Sequence, residues 1–176
     1  LTKLLWDPEQ DVDELLNEWY VRAVGEEAAP DLKAYYDHWE HFWTERIKDH
    51  DWFETRKDIT YLSYYWGTYL EAITDEEMAY SRQLLESVMA KTKTPEQAAR
   101  AELLYKQFEY YEASVLSYPK PIDKPTNEDE ALALLEEGAH IQIKADYAQK
   151  RVDLIEQYSE NPLLEHPGNP FRNGLE

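Results

Sequence analysis

Glu137 and His140 stand three residues apart, the spacing that puts a carboxylate and an imidazole on one helix face where both can reach one metal ion. A di-iron bundle needs that pair twice and the sequence holds it once, so an ordinary helix-surface pair is expected, with no metal site and no cofactor. His38, His41 and Glu45 share another face, opposite a run of large rings, and are expected to meet water or a neighbouring surface. Carboxylates suited to glycoside hydrolysis or proton transfer are so abundant, with 37 Asp and Glu residues, that no pair stands out. No nucleophile motif or phosphate-binding loop of any strength occurs. The sequence therefore assigns no catalytic residue.

The rings are a different signal. Aromatic faces are what proteins stack on sugars, while a buried Tyr hydroxyl or indole N–H needs a polar partner. Trp19, Trp39, Trp43, Tyr105 and Tyr111 fall at helical spacing and are read as core. Trp52, Tyr61, Tyr64, Tyr65 and Trp66 fall instead in a stretch, residues 52–69, with neither helical nor strand period, where core and ligand-facing roles are evenly matched. Beside them stand Arg56 and Lys57, a close basic pair. These seven residues are the carbohydrate-binding candidates, with rings to stack on a sugar and cations to meet an acidic group.

The elements that would hold these residues are helices. Ala28 to Lys48 places Leu32, Tyr35, Tyr36, Trp39, Phe42, Trp43 and Ile47 on one side of a helix over five turns, and this reads as the central element, opened by Pro30. Before it, Asp7 as a cap and Pro8 at the first helical position predict a helix with Val12, Leu15, Leu16, Trp19, Tyr20 and Ala23 inward. Gly25 would end it with a left-handed cap. The run Asp49-His50-Asp51 breaks the central pattern, and Ile59 to Leu70 reads as irregular backbone with a helical turn near Tyr69.

Two capping boxes, Thr74 to Glu77 and Thr94 to Gln97, then predict an antiparallel hairpin. Its first helix turns Met78, Leu85, Val88 and Met89 inward. The second buries Ala98, Ala101, Leu104, Tyr105, Phe108, Tyr111 and Val115, and stops at Tyr118-Pro119. The last helix, capped near Thr126 to Asp129, runs to about Tyr158 with Ala131, Leu135, Ala139, Ala145, Ala148, Val152 and Ile155 on one face. Unbroken by Gly138 it would be about 45 Å long. The tail from Asn161 has no period and reads as a surface strap. The expected architecture is all-α, about five mostly antiparallel helices in one domain spanning residues 1–176, with an irregular aromatic-rich connection.

A formal charge of -19 repels nucleic acid and anionic lipid, and both are excluded as partners. The chain nonetheless carries 43% hydrophobic and 14% aromatic residues, too many for a disordered acidic segment. No apolar run approaches the roughly 20 residues of a membrane span, and LTKLLWDPEQ has neither the basic start nor the apolar core of a signal peptide. A soluble chain is expected. The absence of cysteine excludes disulfides and thiolate chemistry while leaving the compartment open. The apolar start at Leu1 reads as the end of a preceding element, so the chain is expected to be a piece of a longer polypeptide.

Taken together, LLWDPEQDVDELLNEWY, the turn from Gly25 to Pro30 with its Ala28-Ala29, WEHFWTERI, YLSYYWGTYL and KTPEQAARAELLYKQFEYYEASVLSYP resemble the C-terminal helical region of a family of large bacterial proteins. This is the domain-of-unknown-function family 4838, similar to glycoside hydrolases related to α-glucuronidases. The resemblance runs from about Leu4 to Pro119. It implies a non-catalytic helical domain that packs on an N-terminal TIM barrel of the same polypeptide, contributes to the rim of its active site and mediates subunit contacts in a homo-oligomer. It also implies an acidic oligosaccharide as the ligand of the 52–66 segment, with Arg56 or Lys57 meeting a uronic-acid carboxylate. One departure stands out. The family often has Tyr-Gly-Pro-Ala-Ala at the first interhelical turn, where this chain has Val24-Gly25-Glu26-Glu27-Ala28-Ala29, so no role of that tyrosine or proline carries over. The alternative is a free-standing helical module that binds another protein. Both readings expect an exposed apolar patch.

Overall fold

The computed structural model describes residues 2–58, 67–119, 124–136, 145–159 and 161, and every regular element among them is helical. The helices are α1 (Thr2–Trp6), α2 (Val12–Val24), α3 (Ala29–Thr44), α4 (Asp51–Glu54), α5 (Asp75–Lys91), α6 (Pro95–Ser117), α7 (Glu128–Glu136) and α8 (Ala145–Tyr158). Turns of 3-10 helix cover Arg46–Asp49 and Gly67–Ala72, the second at the helical turn expected near Tyr69. The chain divides into two compact units, Leu1–His50 with Glu76–Phe108, and Asp51–Asp75 with Glu109–Glu176.

The first unit is built on α3. Leu32, Phe42 and Ile47 are fully buried, while Tyr35, Tyr36, Trp39 and Trp43 are half-buried with edge-on ring neighbours. The helix ends at Thr44, earlier than the stripe suggests, and the 3-10 turn that follows still delivers Ile47 to the core. Polar pairs at both ends hold α5 antiparallel to α3. Asp31 accepts from Ser87 Oγ at 2.6 Å and Lys91 Nζ at 2.5 Å, and Arg46 grips Glu77 through Nε at 2.6 Å and Nη2 at 2.8 Å. Burial pushes the Asp31 carboxyl up, but the bonds from Lys91 and Ser87 outweigh it and hold the group below its ordinary value.

Two helix starts show how local signals fared. At α6 the capping box is complete: Thr94 Oγ1 accepts from Gln97 N at 3.3 Å, and Gln97 Oε1 returns to Lys93 N at 2.8 Å and Thr94 N at 3.2 Å. At α2 the expected start at Asp7-Pro8 is corrected. Asp7 accepts from Glu9 N at 3.2 Å in a turn of its own, and Asp11 is the cap, its Oδ1 accepting from Asp13 N and Glu14 N at 2.8 and 3.1 Å.

The C-terminal end of α2 is closed from far along the chain. Arg100 Nε donates to the Ala23 carbonyl at 2.7 Å and Nη2 to that of Arg22 at 3.1 Å, two carbonyls that the helix itself leaves without donors. Gly25 follows with φ 94 and ψ 161, and a Cβ built there would lie 2.9 Å from Gln97 Nε2. Half-buried Gln97 thus lies against Gly25 one turn before buried Ala101, and Ala98 is exposed where the periodicity expected it inside. Of the other expected positions, Ala101, Phe108 and Val115 are buried, and Leu104, Tyr105 and Tyr111 are half-buried. Met78, Leu85 and Val88 are buried as expected on α5, with Met89 half-buried.

His38 is a second correction. His41 and Glu45 are exposed, but the His38 ring meets Trp39 and Tyr80 edge-on at 5.2 and 5.3 Å, because α5 packs over that flank of α3. Burial lowers its pKa, and Nε2 has no hydrogen-bond partner among the described residues. Ser81, fully buried on α5, is in the same position at Oγ. A buried hydroxyl without a partner is a net loss relative to a methyl group, and alanine is also the better helix former. Ser81→Ala should raise stability by about 1 kcal/mol in chemical denaturation. A loss of that size would show that Oγ is hydrogen-bonded in solution.

In the second unit, Trp52, Leu70, Ala72 and Ile73 are buried, as are Tyr110, Ala113, Val115 and Leu116 from the end of α6 and Leu154, Ile155 and Tyr158 from α8. Arg151 reaches Ser114 Oγ at 3.2 Å and Tyr110 Oη at 3.3 Å, and Lys150 lies 3.7 Å from the buried Glu112. On the face expected for the last helix, Ile155 is buried, Ala131, Ala148 and Val152 are half-buried, and Ala145 is exposed. Asn127 caps α7, accepting from Glu130 N at 2.9 Å. Whether α7 and α8 form one helix turns on residues 137–144, which lie outside the described residues, as do Leu135's side chain, Glu137, Ala139, His140 and the tail beyond Asn161.

Candidate functional site

Four large apolar side chains near the start of the chain are left open to solvent. Leu5 is 79% exposed, Val12 52%, Leu16 45% and Trp19 46%. Val12, Leu16 and Trp19 follow one another at helical spacing on α2, beside the arc of Tyr20, Ala23 and Val24 that turns into the core. α1 lies along the open arc, and together they form a groove of about 300 Å³ lined by Leu4, Val12, Leu15, Leu16 and Trp19, with Lys3, Glu18 and Arg22 at its edge.

Ion pairs border the groove. Lys3 Nζ bonds Glu18 and draws α1 onto α2, and Arg22 Nη2 holds the other carboxylate oxygen at 2.6 Å. The Lys3 bond, with the Arg22 charge behind it, keeps the Glu18 carboxyl below its ordinary value. Trp19 anchors the far end, with its ring edge-on to Tyr20 at 5.2 Å and to Tyr36 of α3 at 5.7 Å. Trp19 was expected in the core. Its spacing is right, but no described residue covers the outer half of its ring.

Beside the apolar floor the surface turns acidic. A second hollow of about 590 Å³ is lined by Asp7, Glu9, Asp11 and Glu14 along with Lys3 and Glu18. Sequence periodicity turned Val12, Leu15, Leu16 and Trp19 inward and gave these carboxylates no binding role. The signal was present in DPEQDVDE, an acidic run directly before an apolar stripe.

The carbohydrate candidates fare differently. Trp52 is 3% exposed, its indole N–H donates to Thr68 Oγ1 at 3.0 Å, and Tyr69 meets its ring edge-on at 6.1 Å. A ring so enclosed has no face for a sugar. Arg56 is half-buried, with its guanidinium 5.8 Å from the centre of the Trp52 ring. Lys57 is exposed and paired with Glu54 at 2.6 Å, a bond that raises its pKa. Tyr61, Tyr64, Tyr65 and Trp66 lie outside the described residues.

Among the described residues no group of three or more His, Asp or Glu side chains is placed to hold a metal ion, and no helix is long and apolar enough to cross a membrane. Compared with protein-family models, curated proteins and solved structures, the chain matches none.

Proposed function

We propose that this chain is a non-catalytic helical domain that works by docking, with the groove between α1 and α2 as its docking face. The observation that carries the reading is the run of Val12, Leu16 and Trp19 left in water on α2, beside the arc of Tyr20, Ala23 and Val24 that enters the core, together with exposed Leu5 of α1. The family resemblance supplies one partner for that face, a TIM barrel in the same polypeptide, with subunit contacts and a sugar-binding rim around Arg56 and Lys57 as further parts of the same reading. A separate protein is the alternative partner. The coding sequence discriminates between them, because a reading frame that opens within a few codons of Leu1 leaves no room for a barrel.

The docking reading is tested on the face itself. Val12→Gln and Leu16→Gln keep good helix formers on α2 and should each change the unfolding free energy by no more than about 0.5 kcal/mol, the range of open surface sites. A loss of about 2 kcal/mol or more, as for a buried aliphatic chain, would show the face to be covered by the chain's own residues and would end the proposal. The same protein should release no sugar from α-glucuronides and hold no stoichiometric iron or zinc. Either activity or metal would overturn the non-catalytic part.

A further inference from the structure

We infer that the segment received by the α1–α2 groove is a basic amphipathic helix, an inference that rests on the docking reading above. Val12, Leu16 and Trp19 stand four and three residues apart, so they present a ridge about 10 Å long to whatever lies against α2. A partner helix with apolar residues at the same spacing fits such a ridge into its own grooves. An extended strand would need free backbone groups to pair with, and the backbone of α2 is occupied by its own helix.

Charge decides the other face of that partner. Asp7, Glu9, Asp11 and Glu14 line the hollow beside the groove, and none of these four carboxylates has an ion-pair partner among the described residues. Among the described residues, Asp7 and Asp11 accept only from backbone or amide groups, and Glu9 and Glu14 bond to no side chain. The one lysine in the hollow, Lys3, is already bound to Glu18. A helix with leucines toward Leu16 and lysines or arginines toward Asp7 and Glu9 would neutralise this edge, whereas an acidic or a neutral helix would leave the carboxylates opposed or unpaired. A second copy of the chain would bring the same acidic edge against itself in a two-fold contact, which charge disfavours.

The test uses the whole chain and three synthetic peptides of about five helical turns. The first has leucines at i, i+3, i+4 and i+7 with lysines elsewhere, the second replaces lysine by glutamate, and the third scrambles the first. Calorimetry should show one-to-one binding of the lysine peptide alone. Leu16→Gln should weaken it about tenfold, as removal of a central apolar anchor does. Asp7→Asn with Glu9→Gln should weaken it by about the same factor, while Glu128→Gln with Asp129→Gln, an equal charge change on α7, should have an effect under about twofold. Equal loss from the two charge pairs, or equal binding of the scrambled peptide, overturns the inference by showing attraction to bulk charge. Preference for the glutamate peptide, abolished by Leu16→Gln, or a dimer of the chain that Leu16→Gln dissociates, overturns the basic partner and leaves the docking reading standing. Binding of no peptide by a monomeric chain overturns both.

Discussion

Phe42→Ala should lower the stability of the first unit by about 3–5 kcal/mol, the usual loss for a large ring removed from a filled core. Phe42 is fully buried on α3, with Trp39 and Trp43 edge-on at 5.3 and 5.0 Å. The Arg46 guanidinium stands 4.5 Å above its ring and carries the two-point grip on Glu77. Truncation would leave a cavity and remove the platform that orients that guanidinium, so the tie between α3 and α5 loosens as well. Trp19→Ala is the control. It deletes a larger ring at the same helical spacing, yet half of that ring already meets water, and the loss should stay near 1 kcal/mol. Urea unfolding followed by circular dichroism measures both. Equal losses for the two variants would mean that the burial pattern of this unit is wrong.

Gly25→Ala should cost about 2–4 kcal/mol, although it adds a single methyl group. At φ 94 and ψ 161 the backbone occupies a region that side chains make expensive. The new Cβ would also fall 2.9 Å from Gln97 Nε2 and 3.0 Å from its Oε1, the atom that caps the start of α6. Strain and a displaced cap therefore add. In a Gln97→Ala background the cap is already gone and the clash is relieved, so the same glycine substitution should cost about 1 kcal/mol less. An unchanged cost in that background would assign the whole effect to the backbone.

What the sequence made legible follows from how far each signal reaches. The Thr94 to Gln97 box was readable because donors and acceptors lie within four residues of one another. The stripe on α3 was readable because helical spacing names a face directly, and Phe42 and Ile47 lie on it even though the α-helix ends between them. Asp7-Pro8 misled because aspartate caps tight turns as readily as helices, and only the chain beyond decides which. Trp19 misled for a different reason. Spacing says which residues share a face but not whether another element arrives to cover it. The groove is that difference, lined by Val12, Leu15, Leu16 and Trp19, four positions that the periodicity had turned inward. Trp52 was unreadable in the same sense, since an irregular stretch gives no face at all until Thr68 and Tyr69 fold against it.

Arg100 completes α2 from 77 residues away. On the ribosome the chain emerges from its N-terminus, at about 5–20 residues per second, so roughly 4–15 s pass between the synthesis of Ala23 and that of the arginine that closes its carbonyl. For that interval the helix carrying Val12, Leu16 and Trp19 has a frayed last turn and no seam from α6 to rest on. The nascent chain thus shows an apolar surface before it can hold that surface in shape, so a chain stalled before Arg100 should engage chaperones and aggregate more readily than one extended beyond it.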